Sequence, residues 1–244
     1  MIKGCRKITV KAVSFSQQRG TVLYACSPCD TDPIAANRAS RTTDKIHLIS
    51  ILREHLVRME SSPRADRRFF SRADLPIQVV HDPLGRPQLL GECEGPAISL
   101  SEGGGRIWAA LCGHEYDIGI DVAGANEFQR GYPFHRVFHP QELQHALRLA
   151  GGDLKRASAL LWSIKEAAVK ALGCAFHLVD PRQITVYPPT EGAIGENDGY
   201  TFPVGLSGKA RVRFSTAAGR SLWVRSLPQR KMWLSIALLN RQYR

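Results

Sequence analysis

Two long stretches with helical apolar spacing, DKIHLISILREHLVRM and LLWSIKEAAVKALG, are each followed by a train of short strand-like runs. That order excludes an all-helical bundle and an all-strand barrel, and it predicts an α+β chain built of two similar units. In the first half the strand candidates are KITVKAVSF before the helix, then IQVVHD, PQLLG, AISLSE and RIWAALCG after it, separated by Pro and Gly. The second half opens on YDIGIDVAG. It continues with a helix in HPQELQHALRLAGG, the LLWSIKEAAVKALG helix, and strands in RQITVYPP, KARVRFSTA, SLWVRSL and MWLSIALLN. The join falls near Gly113 to Asp117, giving units of residues 1–115 and 116–244. No internal repeat is evident between them. The segment ESSPRADRRFFSRADLP reads as an irregular, basic connection.

A formal charge of +11 in 244 residues predicts anionic partners: nucleic acid, a phosphorylated metabolite, an acidic protein or a membrane surface. The N-terminus lacks the apolar stretch of a signal peptide, and no run approaches a membrane span. Six cysteines without regular short spacing read as reduced, consistent with a cytoplasmic protein. Cys26-Ser-Pro-Cys29 has no second pair at zinc-site spacing, so a metal or redox role is the lesser reading of it.

Alternation along DIGIDVAG puts Ile118, Ile120 and Val122 on one face of a strand and Gly119, Asp121 and Ala123 on the other. A carboxylate in so apolar a run needs a cation or hydrogen-bond donors. In the LLWSIKEAAVKALG helix, Leu161, Ile164, Ala168 and Leu172 form an apolar stripe, while Trp162, Glu166 and Lys170 stand four apart on a neighbouring face. Taken separately, Asp121 reads as a turn or cap residue and Glu166 with Lys170 as a surface ion pair. Their joint occurrence, preceded by GRPQLL and ISLSEGGGR, is less ordinary.

GIDV, FHPQEL and WSIKEAAVKALG resemble the motifs of the 4'-phosphopantetheinyl transferases, specifically the monomeric Sfp type. GRPQL and ISLS resemble two earlier motifs of that family in the same order. The resemblance runs from about Leu75 to Gly173; residues 1 to 74 match poorly. It implies a pseudo-dimeric fold, two α+β units packed about a pseudo-two-fold axis. The implied activity is transfer of the phosphopantetheine arm from coenzyme A to a serine of an apo acyl or peptidyl carrier protein. Such chemistry calls for a divalent metal on oxygen ligands, fixed cations and a positioned base.

Carried over by motif, Asp121 and Glu166 would be ligands of Mg²⁺, and Glu166 or a water it orients would take the serine proton. Lys170 and Lys165 would contact the phosphates, Lys170 being counted with Asp121 and Glu166 in the catalytic set. Arg86, where the family commonly has Lys, and Ser101 would line the coenzyme A pocket. Trp162 is expected in the core between the units, and Glu142 occupies a frequently acidic position without a clear role.

Two departures stand out. The family usually has an acid where Ala123 stands, so the metal would rest on two carboxylates, or on a third from Glu127 through a loop. Where the family usually has a His that contacts the nucleotide phosphates, this chain has Glu102, counted by that position with the coenzyme A-binding residues. Either Glu102 turns away and the GGGR stretch with Arg106 serves the phosphates, or it joins the metal network.

Those departures leave open a coenzyme A binder without transferase activity. A nucleic-acid-binding protein is the rival from another class, resting on charge and the ADRRFFSR cluster. His135, His139 and His145 read as surface or packing residues. No membrane association is expected. A second unit already present in the chain predicts a monomer, and carrier docking is expected to be salt-sensitive.

Overall fold

The structure, a computed structural model, describes residues 8–17, 20–28, 38–60, 77–90, 95–129, 131–190, 199–215 and 222–241. The ADRRFFSR cluster and Cys29 lie outside them. The fold is α+β, with two main sheets and a helix on the outer face of each.

The first sheet has four antiparallel strands in the order β1 (Lys11–Phe15), β2 (Gly20–Pro28), β6 (Arg106–Cys112), β5 (Ala97–Gly103). A small hairpin of β3 (Val79–His81) and β4 (Pro87–Leu89) precedes β5. The second sheet has five strands in the order β7 (Tyr116–Gly124), β11 (Met232–Asn240), β10 (Leu222–Gln229), β9 (Tyr200–Leu206), β8 (Ile184–Val186). Helix α1 (Arg38–Glu60) sets Leu48, Ile49, Leu52 and Leu56 against Leu23, Ile107 and Leu111 of the first sheet. The inner faces of the sheets meet through Val22, Tyr24, Ala110 and Cys112 on one side and Ile118, Ile120, Ile236 and Leu238 on the other. The layers therefore run helix, sheet, sheet, helix.

The two sheets repeat one connectivity. In the first, the strand before the helix (β2) pairs with the last strand (β6), which pairs with the penultimate one (β5); in the second, β7, β11 and β10 do the same.

Helix α2 (Phe134–Val137) and helix α3 (Pro140–Leu149) precede helix α4 (Leu154–Ala171), which covers the outer face of the second sheet. Asp153 caps α4, its Oδ1 accepting from the amides of Lys155 (2.9 Å) and Arg156 (3.2 Å). At the other end Gly173 takes a φ of 77°, and the Cys174 amide turns back to the Val169 carbonyl, closing the helix.

Gly119 is what allows α4 to lie so close to β7. A Cβ there would stand 1.9 Å from the Ala167 carbonyl oxygen and 2.7 Å from the Ala171 amide nitrogen, both backbone atoms of the helix. Gly119→Ala is expected to destabilise the chain by about 3 kcal/mol, the upper part of the overpacking range, as read by urea unfolding.

The KARVRFSTA stretch is not a strand where it is described: helix α5 (Gly208–Arg213) occupies it. Helical spacing puts Ala210 and Phe214 on the core side and leaves Val212 77% exposed, whereas a strand would have buried all three together. Two further strands escaped the apolar pattern. GTVLYACSP forms β2, and YTFPVGL forms β9 despite Pro203, whose register partner is Trp223. Trp162 packs against Phe176 (ring centroids 5.1 Å, planes 35° apart) on the outer side of the second sheet. Its expected place between the units is corrected, because the residues that fill that space come from strands alone.

Candidate active site

Of residues 161 to 170 of α4, only Trp162, Glu166 and Lys170 are not buried, one residue per turn along a single line. β7 faces this line with Gly119, Asp121 and Ala123, as alternation predicts, while Ile118, Ile120 and Val122 enter the core between the sheets. The edge strand β5 of the first sheet lies along β7, so the cleft gathers residues from both halves of the chain.

Asp121 is buried at 7% exposure. Its Oδ1 accepts from Lys170 Nζ at 2.8 Å and from Ser101 Oγ at 2.9 Å. Lys170 also reaches the carbonyls of Ile120 (3.1 Å) and Leu100 (3.5 Å), thereby tying β7 to β5. Ser99, two residues before Ser101 and on the same strand face, accepts the Ile120 amide at 3.0 Å and closes the exposed edge of β7.

Burial pushes the Asp121 carboxyl above its usual value, against the opposing pull of Lys170 and Ser101. Glu166 is pushed up to about 7, by burial first and then by the Asp121 charge, with Lys170 opposing. Among the described residues its carboxylate accepts no hydrogen bond.

That donor set suits a hard divalent cation. Two hard oxygen donors, one of them a half-buried carboxylate short of partners, fit Mg²⁺, which fills most of its octahedron with water and substrate oxygens. Among the described residues no group of three or more His, Cys, Asp or Glu gathers to hold a metal. Glu127, the alternative third ligand through a loop, has its Oε1 on the Gly124 amide at 2.6 Å. Ala123 is buried at 1% exposure and packs with the α4 core.

Glu102 turns away from the cleft. It follows Ser101 in the strand, so it points to the outer face, where Lys45 (2.6 Å) and Arg41 (3.5 Å) of α1 hold it. Its expected place in the metal network or on coenzyme A is corrected accordingly. Arg106 also stays outside the cluster, donating to Cys26 Sγ at 3.2 Å.

Lys165 is the larger correction. It neighbours Glu166 in sequence but projects from a different, buried face of α4, with all three ammonium hydrogens committed to Glu142 Oε2 (2.9 Å), the Pro181 carbonyl (2.9 Å) and the Ile184 carbonyl (2.7 Å). Glu142 in turn accepts the amides of His139 (2.8 Å) and Val186 (2.7 Å). The pair ties α3, α4 and β8 together, away from Asp121. Burial pulls the Lys165 ammonium below its usual value, and Glu142 opposes that pull.

Arg86 is held in the turn between β3 and β4, where Asp82 Oδ1 accepts the amides of Leu84 and Arg86 (2.9 Å each). Its guanidinium pairs with Asp117 at the start of β7, which also accepts from Arg241 Nε at 2.7 Å. Asp117 lies four residues before Asp121 on the same strand face, so Arg86 meets β7 about 13 Å from the carboxylate cluster. Asp117 and Arg241 lie in no motif, and Ser99 lies in ISLS with no role implied for it; the alternation that selects Asp121 and Ser101 points to Asp117 and Ser99.

Fold and cleft together define an α+β protein in which β7 and α4 bring two carboxylates and an ammonium group to one cleft, an arrangement suited to a metal-bound phosphate. Residues 117–215 match the model of the family described as the 4'-phosphopantetheinyl transferase superfamily, a span containing Asp121, Glu166 and Lys170. No curated protein matches the chain. Similar solved structures include the ACPS-CoA complex of Chronobacterium ammoniagenes, with 21% identity over 52% of this chain and 98% of that one and a TM-score of 0.42. The holo-ACP-synthase of Plasmodium yoelii gives 18% identity over 52% and 95%, with a TM-score of 0.40. The holo-[acyl-carrier-protein] synthase of Neisseria meningitidis gives 19% identity over 51% and 98%, with a TM-score of 0.37.

Proposed function

We propose that the chain transfers the 4'-phosphopantetheine arm of coenzyme A to a serine hydroxyl of an apo acyl or peptidyl carrier protein, with Mg²⁺, as a monomer of the Sfp type. Supporting this reading above all is the convergence of Asp121, Glu166, Lys170 and Ser101 on one cleft, three of them within the span matched by the transferase superfamily.

In this reading Asp121 and Glu166 hold the metal, which when bound neutralises charge on the pyrophosphate. Ser101 and Lys170 fix the Asp121 carboxylate in place. Glu166, with a carboxyl near neutrality, is suited to accept the serine proton as the new P–O bond forms. The phosphoanhydride bond then breaks, and adenosine 3',5'-bisphosphate leaves. Arg86 and the basic surface draw the anionic substrate and the acidic carrier. The two halves, residues 1–115 and 116–244, are related by a pseudo-two-fold axis, an assignment supported by their repeated strand connectivity.

Chromatography of coenzyme A incubated with the protein and a panel of apo carriers tests this. Release of adenosine 3',5'-bisphosphate is expected with Mg²⁺, and its loss on chelation or in Asp121→Asn. Thermal stabilisation by coenzyme A without any released bisphosphate across the panel would instead identify a silent binder.

A further inference from the structure

At the edge of the first sheet opposite β5, strand β1 approaches β10 of the second sheet. There the structure holds a cavity of about 690 Å³, lined by β1, β2, β10 and the turn after β10. Its charge is the reverse of that in the first cleft. Lys11, Arg225 and Arg230 line it together with Ser14 and Tyr24, and among the described residues no acidic side chain does. Arg225 is fixed by donating to Thr201 Oγ1 at 2.8 Å.

Arg230 supplies a second, independent observation. It begins the two-residue turn between β10 and β11 with a φ of 55°, the one non-glycine residue with positive φ among the described residues. A hairpin turn with positive φ at its first position is a slot that glycine fills without strain. A long cationic side chain in a strained turn, bordering a cavity with two further cations, is the kind of outlier that function retains.

We propose that this cavity is a second anion site, distinct from the carboxylate cleft, that takes a small molecule bearing a di- or polyphosphate group. Its volume lies in the range of small-molecule pockets, and clustered cations without a carboxylate select phosphate oxygens. The site stands whether or not the chain is a transferase.

Inorganic pyrophosphate titrated calorimetrically into the full chain, in chelator and at low salt, tests it. Saturable binding is expected in the parent and in Asp121→Asn, and at least a tenfold loss of affinity in the double variant Lys11→Ala/Arg230→Gly. Because glycine suits the turn, Arg230→Gly alone is expected to keep or raise the melting temperature while weakening pyrophosphate, which separates binding from folding. Absence of pyrophosphate binding to the parent, or equal binding by the double variant, overturns the assignment. So does a double variant that keeps pyrophosphate but loses an acidic carrier protein, which would make the surface a protein-docking site.

Discussion

Replacing Glu166 by Gln is expected to lower phosphopantetheinyl transfer by about 10²- to 10⁴-fold, the range for loss of a positioned general base, while coenzyme A still stabilises the protein against heating. The same substitution carries a pH signature. With its folded value raised to about 7 from an ordinary 4.5, Glu166 keeps its proton in the native state over an interval where the unfolded chain has lost it. The native state then binds more protons, so this contribution to stability is fully present below about 4.5 and is lost as pH rises through about 7. A shift of that size corresponds to something on the order of 3 kcal/mol. Gln cannot titrate, so urea unfolding of the ligand-free proteins should show the stability gap changing in favour of Glu166→Gln between pH 5 and pH 8. A gap independent of pH would mean that Glu166 titrates like an exposed carboxylate.

Breaking the Glu142 and Lys165 pair is expected to have the largest effect on stability. Each partner is nearly or fully buried, and every hydrogen of the ammonium group is used. Glu142→Gln leaves an ammonium without its counter-ion, and Lys165→Met leaves a carboxylate without its cation. Each single change is expected to destabilise by about 3–5 kcal/mol. The double variant should fall well short of the sum, because neither charge is then stranded. Denaturant unfolding of the four proteins checks this cycle. If Lys165 instead served coenzyme A, Lys165→Met would raise KM for coenzyme A and leave stability unchanged.

That pair also shows what the sequence could and could not reveal. Asp121 and Lys170 were legible because strand alternation and helical spacing each fix a face, and the two faces meet. Glu166 followed from the same line of residues four apart. Lys165 was misplaced because consecutive helix residues project about 100° apart, and nothing local says which of two adjacent charges lies on the buried side. Its partner Glu142 sits on another helix, and their contact exists only once α3 and α4 pack. Glu102 was open to two readings, and alternation from Ser101 decides between them once the face of Ser101 is known.

The order of helices and strands was legible as well, with exceptions that have local causes. KARVRF alternates like a strand, yet its core contacts follow Ala210 and Phe214 at helical spacing. Pro203 disguised β9, although that strand pairs through residues 200–204 with β10. The anion cavity at β1 and β10 left no trace in the sequence, because its three cations come from separate strands and a turn.

The central claim is that Asp121, Glu166 and Lys170 form the site of phosphopantetheinyl transfer. Intact mass spectrometry of apo carrier proteins, after incubation with the protein, coenzyme A and Mg²⁺, tests it most directly. The predicted result is a mass gain of one phosphopantetheine arm on at least one carrier, abolished in Glu166→Gln. No gain on any carrier, or a gain undiminished in Glu166→Gln, would contradict it.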